Sequence, residues 1–202
     1  PNGDALELWP SEEDRRSIDT WLREAGVEAT QALVGVHIGT SRRWMTKQWE
    51  LDRWAALCDQ LADRGARVVV TGSRSEQALA QQMLSLIRCK PIIAVDKTTM
   101  MQLACLISRC QVFVTTDSAP LHLAAAMGTP TVALFGPTDP ARHVPPSPSL
   151  TVIKKDVFCS PCYSPHCRTI THACMKRITA EEVAQAVSAV LPGARSRCVS
   201  SI

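Results

Sequence analysis

Residues 113–140 read FVTTDSAPLHLAAAMGTPTVALFGPTDP, and the order of residue types in this stretch decides how the chain folds. Val112, Phe113 and Val114 end an unbroken apolar run, as expected of a strand buried on both faces. Pro120 suits the first turn of a helix, and Leu121 to Met127 continue as a short, small-sided helix that Gly128 closes. A second apolar run, PTVALF at 130–135, follows at once. The polar turn between strand and helix holds Asp117, Ser118 and His122, and such turns are where α/β proteins commonly place ligands.

The same alternation extends outward on the amino-terminal side. Ser11 and Asp14, then Ile18, Trp21, Leu22 and Ala25 ahead of Gly26, predict an amphipathic helix with both end signals. Strands are predicted at 32–37 (ALVGVH), 67–71 (RVVVT), 91–95 (PIIAV) and 111–115 (QVFVT). Between them lie the helical face of Trp54, Ala55, Cys58, Leu61 and Ala62, a helix over 73–87, and one over 98–108. Strands and helices alternating at least four times close as a Rossmann-like α/β fold, a doubly wound and mostly parallel sheet with right-handed crossovers. The loops after residues 37, 71, 95 and 115 should then line one crevice. Beyond Thr138 the pattern degrades into the Pro-rich ARHVPPSPS, then LTVI and a Cys-rich loop. Thr179 and Glu182 are placed as a capping box for a last helix over 179–191, ahead of a frayed tail.

Bulk properties narrow the class. With 202 residues and 46% apolar content, the chain can bury the core of one domain. A net charge of +3, three Phe and one Tyr argue against a nucleic-acid partner. No apolar run reaches the roughly 18 residues of a membrane span, and PNGDALELWP lacks a signal peptide's pattern, so a cytoplasmic location is expected. The nine cysteines are then expected to be reduced, with Cys58, Cys89, Cys105 and Cys110 as small core residues. Pro1 rather than Met at the start suggests a fragment or a processed chain.

Three loops carry phosphate-compatible chemistry. After the first strand come His37, Gly39, Thr40, Ser41, Arg42, Arg43 and Lys47, where backbone N–H groups and one ammonium could meet an anion; a solvated basic loop is the plain alternative. After the second come Thr71, Gly72 and Ser73 with Glu76 one turn on, a carboxylate placed to accept from ribose hydroxyls or to complete an S-x-x-E capping box, roles that could coexist. In DSAPLHLAAAMG the N–H groups of Ser118, Ala119, Leu121 and His122 are candidate anion donors at a helix start.

The order GVHIGTS, KQW, VVVTGSRSEQ and TTDSAPLHLAAAMGTPTVALFGPTDP resembles the carboxyl-terminal half of glycosyltransferase family 9, the ADP-heptose:lipopolysaccharide heptosyltransferases. The resemblance covers roughly residues 30–192 and implies a GT-B enzyme, two facing Rossmann-like domains, of which this would be the donor-binding one. It implies that residues 1–29 are the end of the other domain and a linker helix, and 193–202 a tail. By position, Lys47, Thr40 and Ser41 would meet the diphosphate, and Thr71, Gly72 and Glu76 the nucleoside. Asp117 would hold sugar hydroxyls, while Ser118, Ala119, Pro120, Leu121 and His122 would form the turn that cradles phosphate. The family commonly has Gly where Ala119 stands. The partners implied are ADP-heptose or a similar donor and a lipid-linked saccharide acceptor, with peripheral contact at the inner face of the cytoplasmic membrane. No metal or other cofactor is implied, and the catalytic base is expected in the other domain. A non-catalytic nucleotide-sugar-binding module is the main rival. A GT-B-like sugar-nucleotide epimerase is a weaker one, needing carboxylates and His from both domains. Cys159, Cys162, Cys167 and Cys174, spaced C-x2-C-x4-C-x6-C, could hold zinc or an iron–sulfur cluster, yet a structural thiol-rich loop is preferred.

Overall fold

The computed structural model describes residues 6–28 and 30–191; the expected tail at 193–202 lies outside them. Six strands form one sheet: β1 Leu33–His37, β2 Arg67–Thr71, β3 Ile92–Ile93, β4 Val112–Thr116, β5 Thr131–Phe135 and β6 Leu150–Lys154. Their order is β3-β2-β1-β4-β5-β6, and every neighbouring pair is parallel. The helices are α1 Glu12–Glu24, α2 Leu51–Asp63, α3 Gln77–Leu84, α4 Met100–Arg109, α5 Ala119–Ala126, α6 Pro140–His143, α7 Ala173–Lys176 and α8 Ala180–Val190.

Both faces of the sheet are covered, which is why its strands are apolar throughout rather than alternating. Val34, Val36, Val68 and Val70 point into a core capped by α2 and α8, with Trp54, Leu57, Val183 and Val187. Leu33, Val69 and Ile92 point the other way, against Ile18 and Leu22 of α1 and Leu106 of α4. Ser11 and Asp14 form the expected reciprocal cap on α1. The expected α/β doubly wound sheet is therefore present.

Four local expectations change. LTVI belongs to a sixth strand, β6, an edge strand in which only Ile153 is buried, so no apolar run announces it. The strand expected at 91–95 narrows to two residues: Pro91 has no N–H to give, and Asp96 turns the chain with a φ of 59°. The helix expected over 73–87 opens with a 3-10 turn, Arg74–Glu76, and stops at Leu84. At α8 the cap is half of the expected box. Thr179 accepts from the Glu182 N–H, but the Glu182 carboxylate pairs with Lys155 instead.

Asp59 ties α2 to the chain beyond α3. Its buried carboxylate accepts from the N–H of Cys89 at 2.8 Å and of Arg88 at 2.9 Å, and from Arg88 Nε at 3.1 Å. Burial pushes this carboxyl upward, but the Cys89 and Arg88 donors outweigh it and hold it below its ordinary value of 3.8. Asp59→Ala should cost about 2–3 kcal/mol in chemical denaturation, because two N–H groups lose their acceptor. A lowered carboxyl stabilises fully above its unfolded value and stops doing so as pH falls through its folded one. The difference between wild type and variant should thus shrink below about pH 4.

Candidate functional site

In this strand order the chain winds outward from β1 to β3, then restarts beside β1 with β4 and winds the other way. The connections after β1 and β4 leave toward opposite faces, which opens a crevice at the carboxyl ends of these strands. A cavity of about 690 Å³ lies there, within the size range of small-ligand sites, and it takes its walls from the loops after β1, β2, β3 and β4, as expected.

The loop after β1 is a 3-10 turn, Arg42–Lys47, kinked at Trp44. It places Lys47 Nζ 2.7 Å from Asp117 Oδ2 at the end of β4. Both side chains are withdrawn from water, with 14% and 6% of their surfaces exposed. Thr138 Oγ1 donates to the same Oδ2 at 2.7 Å, and Lys47 also lies over the Trp44 ring. Since both partners use Oδ2, Oδ1 remains for a ligand. Beside the pair, the Thr40 hydroxyl is buried and has no hydrogen-bond partner among the described residues.

The turn bearing Lys47 is fastened from behind by the Cys-rich segment. Thr46 Oγ1 donates to Ser164 O at 2.7 Å, and His172 Nε2 donates to Thr46 O at 2.6 Å. Trp49 Nε1 reaches Ile178 O at 3.1 Å. Cys159, Cys162, Cys167 and Cys174 are free thiols around one further cavity of about 440 Å³. Among the described residues no three His, Cys, Asp or Glu side chains stand in metal-binding geometry.

After β2, Glu76 performs the capping role: one carboxylate oxygen, Oε2, accepts from the Ser73 N–H at 2.6 Å and the Ser73 hydroxyl at 2.8 Å. Its other oxygen, Oε1, lies directly over Gly39, where a Cβ would occupy the carboxylate's place. Capping therefore leaves one oxygen on the cavity wall. Gly72, Ser41, Ser118, Ala119, Pro120 and His122 line the cavity as well.

Two anticipated residues sit elsewhere. Leu121 is fully buried against Ala133 and Phe135, and its N–H donates to Ser118 O at 3.0 Å, so it is no free anion donor. Thr71 is buried behind the wall, where its hydroxyl donates to Val36 O at 3.2 Å and meets His37 Nδ1 at 3.0 Å. Residues not anticipated by name include Thr98, Thr99, Met100, Leu103, Leu123 and His143. His37, named with the loop after β1 but given no role for its ring, ends that strand and lines the cavity too. His143 comes from α6, inside the stretch read as a Pro-rich connection.

A doubly wound sheet with a basic and acidic crevice at its switch point is the layout of a nucleotide-binding domain. Residues 10–172 match the family model of glycosyltransferase family 9 (heptosyltransferase), and the chain belongs to that family. It is 28% identical over 141 residues to a lipooligosaccharide heptosyltransferase 2 of Campylobacter jejuni, covering 68% of this chain and 44% of that protein. Two solved structures share the fold at 25% identity: a family 9 glycosyl transferase from Veillonella parvula (TM-score 0.81, 92% of this chain and 53% of that one) and the Escherichia coli ADP-heptose lps heptosyltransferase II (TM-score 0.74, 91% and 53%). The chain thus spans about half the length of these relatives.

Because Gly39 makes room for Glu76, Gly39→Ala should destabilise by about 1–3 kcal/mol through overpacking. In a Glu76→Ala background the same change should cost almost nothing. A double-mutant cycle in thermal unfolding measures this coupling, and an unchanged cost would place the clash elsewhere.

Proposed function

We propose that this chain is the donor-binding half of a glycosyltransferase that moves a heptose, or a related sugar, from ADP-heptose to a lipopolysaccharide core or similar lipid-linked acceptor. Family membership supports the reaction class, and one observation carries the site. The buried Lys47–Asp117 pair stands beside the amino end of α5 and the unpartnered Thr40 hydroxyl, inside a cavity of a size to hold a nucleotide sugar.

Displacement at the anomeric carbon leaves a diphosphate whose growing charge must be met. Lys47 and the Ser118 and Ala119 N–H groups of the α5 turn are the groups here suited to that, and the dipole of α5 adds to them. Thr40 and Ser41 complete the diphosphate side, with His122 at its edge. Glu76 Oε1 and Gly72 face the nucleoside. Asp117 Oδ1 takes a sugar hydroxyl while Oδ2 steadies Lys47. The base that activates the acceptor belongs, on this reading, to the other domain of the two-domain enzyme. With a lipid-linked acceptor, the whole enzyme works at the inner face of the cytoplasmic membrane through peripheral contact. No described helix is long and apolar enough to cross a membrane.

Isothermal titration of the chain with adenosine, ADP and ADP-heptose tests the assignment. Asp117→Asn should lower the preference for ADP-heptose over ADP by about ten- to a hundredfold, since a charged acceptor of a buried hydroxyl is worth about 1.5–3 kcal/mol. Lys47→Ala, measured in that Asn background to avoid an unpaired buried carboxylate, should weaken ADP by a similar factor and adenosine little. Absence of binding by both ADP and ADP-heptose would overturn the donor-site reading. Transfer to acceptor by residues 1–202 alone would overturn the assignment of the base to the other domain.

A further inference from the structure

His37 ends β1 and is almost wholly buried, yet it is one of the residues that line the cavity. Its protonation pattern follows from its neighbours. The Thr71 hydroxyl has one proton and gives it to Val36 O, so at the 3.0 Å contact with Thr71 Oγ1 the donor is His37 Nδ1–H. Burial pushes the imidazole down to about 4, against the opposing pull of the Glu76 carboxylate, so the ring is neutral near pH 7. A neutral ring protonated at Nδ1 carries a lone pair at Nε2. That nitrogen has no partner among the described residues.

Nearby, Glu76 Oε1 is a second acceptor, since Ser73 uses only Oε2 and Gly39 contributes no side chain. Both residues line the cavity, and neither His37 Nε2 nor Glu76 Oε1 accepts a hydrogen bond from a described residue, so each is poorly satisfied until a ligand brings a donor. A vicinal diol does that, because its adjacent hydroxyls supply two O–H groups at short spacing. We propose that His37 is a specificity-determining residue, whose Nε2 accepts a hydrogen bond from one ribose hydroxyl of the nucleoside diphosphate while Glu76 accepts from the other. This rests on the donor-site reading above, in which Glu76 already faces the nucleoside, and adds to it His37 as a second group that distinguishes ribose from deoxyribose.

The test compares ADP with its 2′-deoxy and 3′-deoxy analogues by isothermal titration. In the wild-type chain at least one deoxy analogue should bind about three- to tenfold more weakly for the loss of the His37 contact, the range of one neutral hydrogen bond. His37→Asn keeps a side-chain N–H for Thr71 but places no acceptor at the position of Nε2, so that analogue's disadvantage should vanish. His37→Gln sets an amide oxygen near that position and should restore part of it. Melting temperatures of both variants separate a lost contact from a lost fold. Two results overturn the His37 assignment and leave the donor-site reading intact: equal binding of all three nucleotides by the wild type, or an unchanged preference in a folded Asn variant. If wild-type chain binds neither ADP nor ADP-heptose, the donor-site reading fails and the His37 assignment falls with it.

Discussion

The ion pair between Lys47 and Asp117 spans the gap that the topology opens. At the switch point β1 and β4 are hydrogen-bonded neighbours, but their following loops part company, and nothing in the backbone ladder holds those loops in register. The pair does so at 2.7 Å, with Thr138 adding a third arm from the loop after β5. Taking both charges out of water costs several kcal/mol, and mutual attraction often only offsets that cost. Its contribution is better understood as placement than as stability: it fixes an ammonium and one carboxylate oxygen toward the cavity, where either alone would have a choice of rotamers.

Glycine and glutamate in the loops after two adjacent strands show how a residue can serve structure and site at once. Position 39 has to lack a side chain for the carboxylate of Glu76 to lie over it. Ser73 then consumes one oxygen in capping the turn and so orients the other. Capping and ligand binding were rival explanations of the S-x-x-E pattern, and the geometry leaves room for both.

Where the sequence spoke clearly, it did so through burial. Strands covered on both faces must be apolar throughout, so β1, β2, β4 and β5 stood out as runs, and the four loops at their carboxyl ends could be assigned to one crevice. Edges were harder. β6 has one buried residue and β3 is cut short by Pro91, so neither carries a full periodic signal. Within the site, charged and hydroxyl residues of the motifs were legible, but their mutual bonding was not: Lys47 and Asp117 lie 70 positions apart, and only the parallel pairing of β1 with β4 brings them together. His37 was named, but the role of its ring was hidden because it depends on which nitrogen is engaged, and Thr71, which engages it, arrives on the neighbouring strand.

The fastening of the Lys47 turn has a consequence in time as well as space. Thr46 is held by a carbonyl 118 residues later in the chain and by a ring 126 residues later, and Trp49 by a carbonyl 129 residues later. On the ribosome, all five inner and outer strands through β5 can emerge and pair before any of these fasteners exists. A nascent chain at that stage can hold a sheet, a crevice and the Lys47–Asp117 pair, but its basic turn is not yet tied down at Thr46 and Trp49. Ligand affinity should therefore appear as a late and separate event of synthesis, following the sheet by the interval needed to translate the Cys-rich segment and the approach to α8.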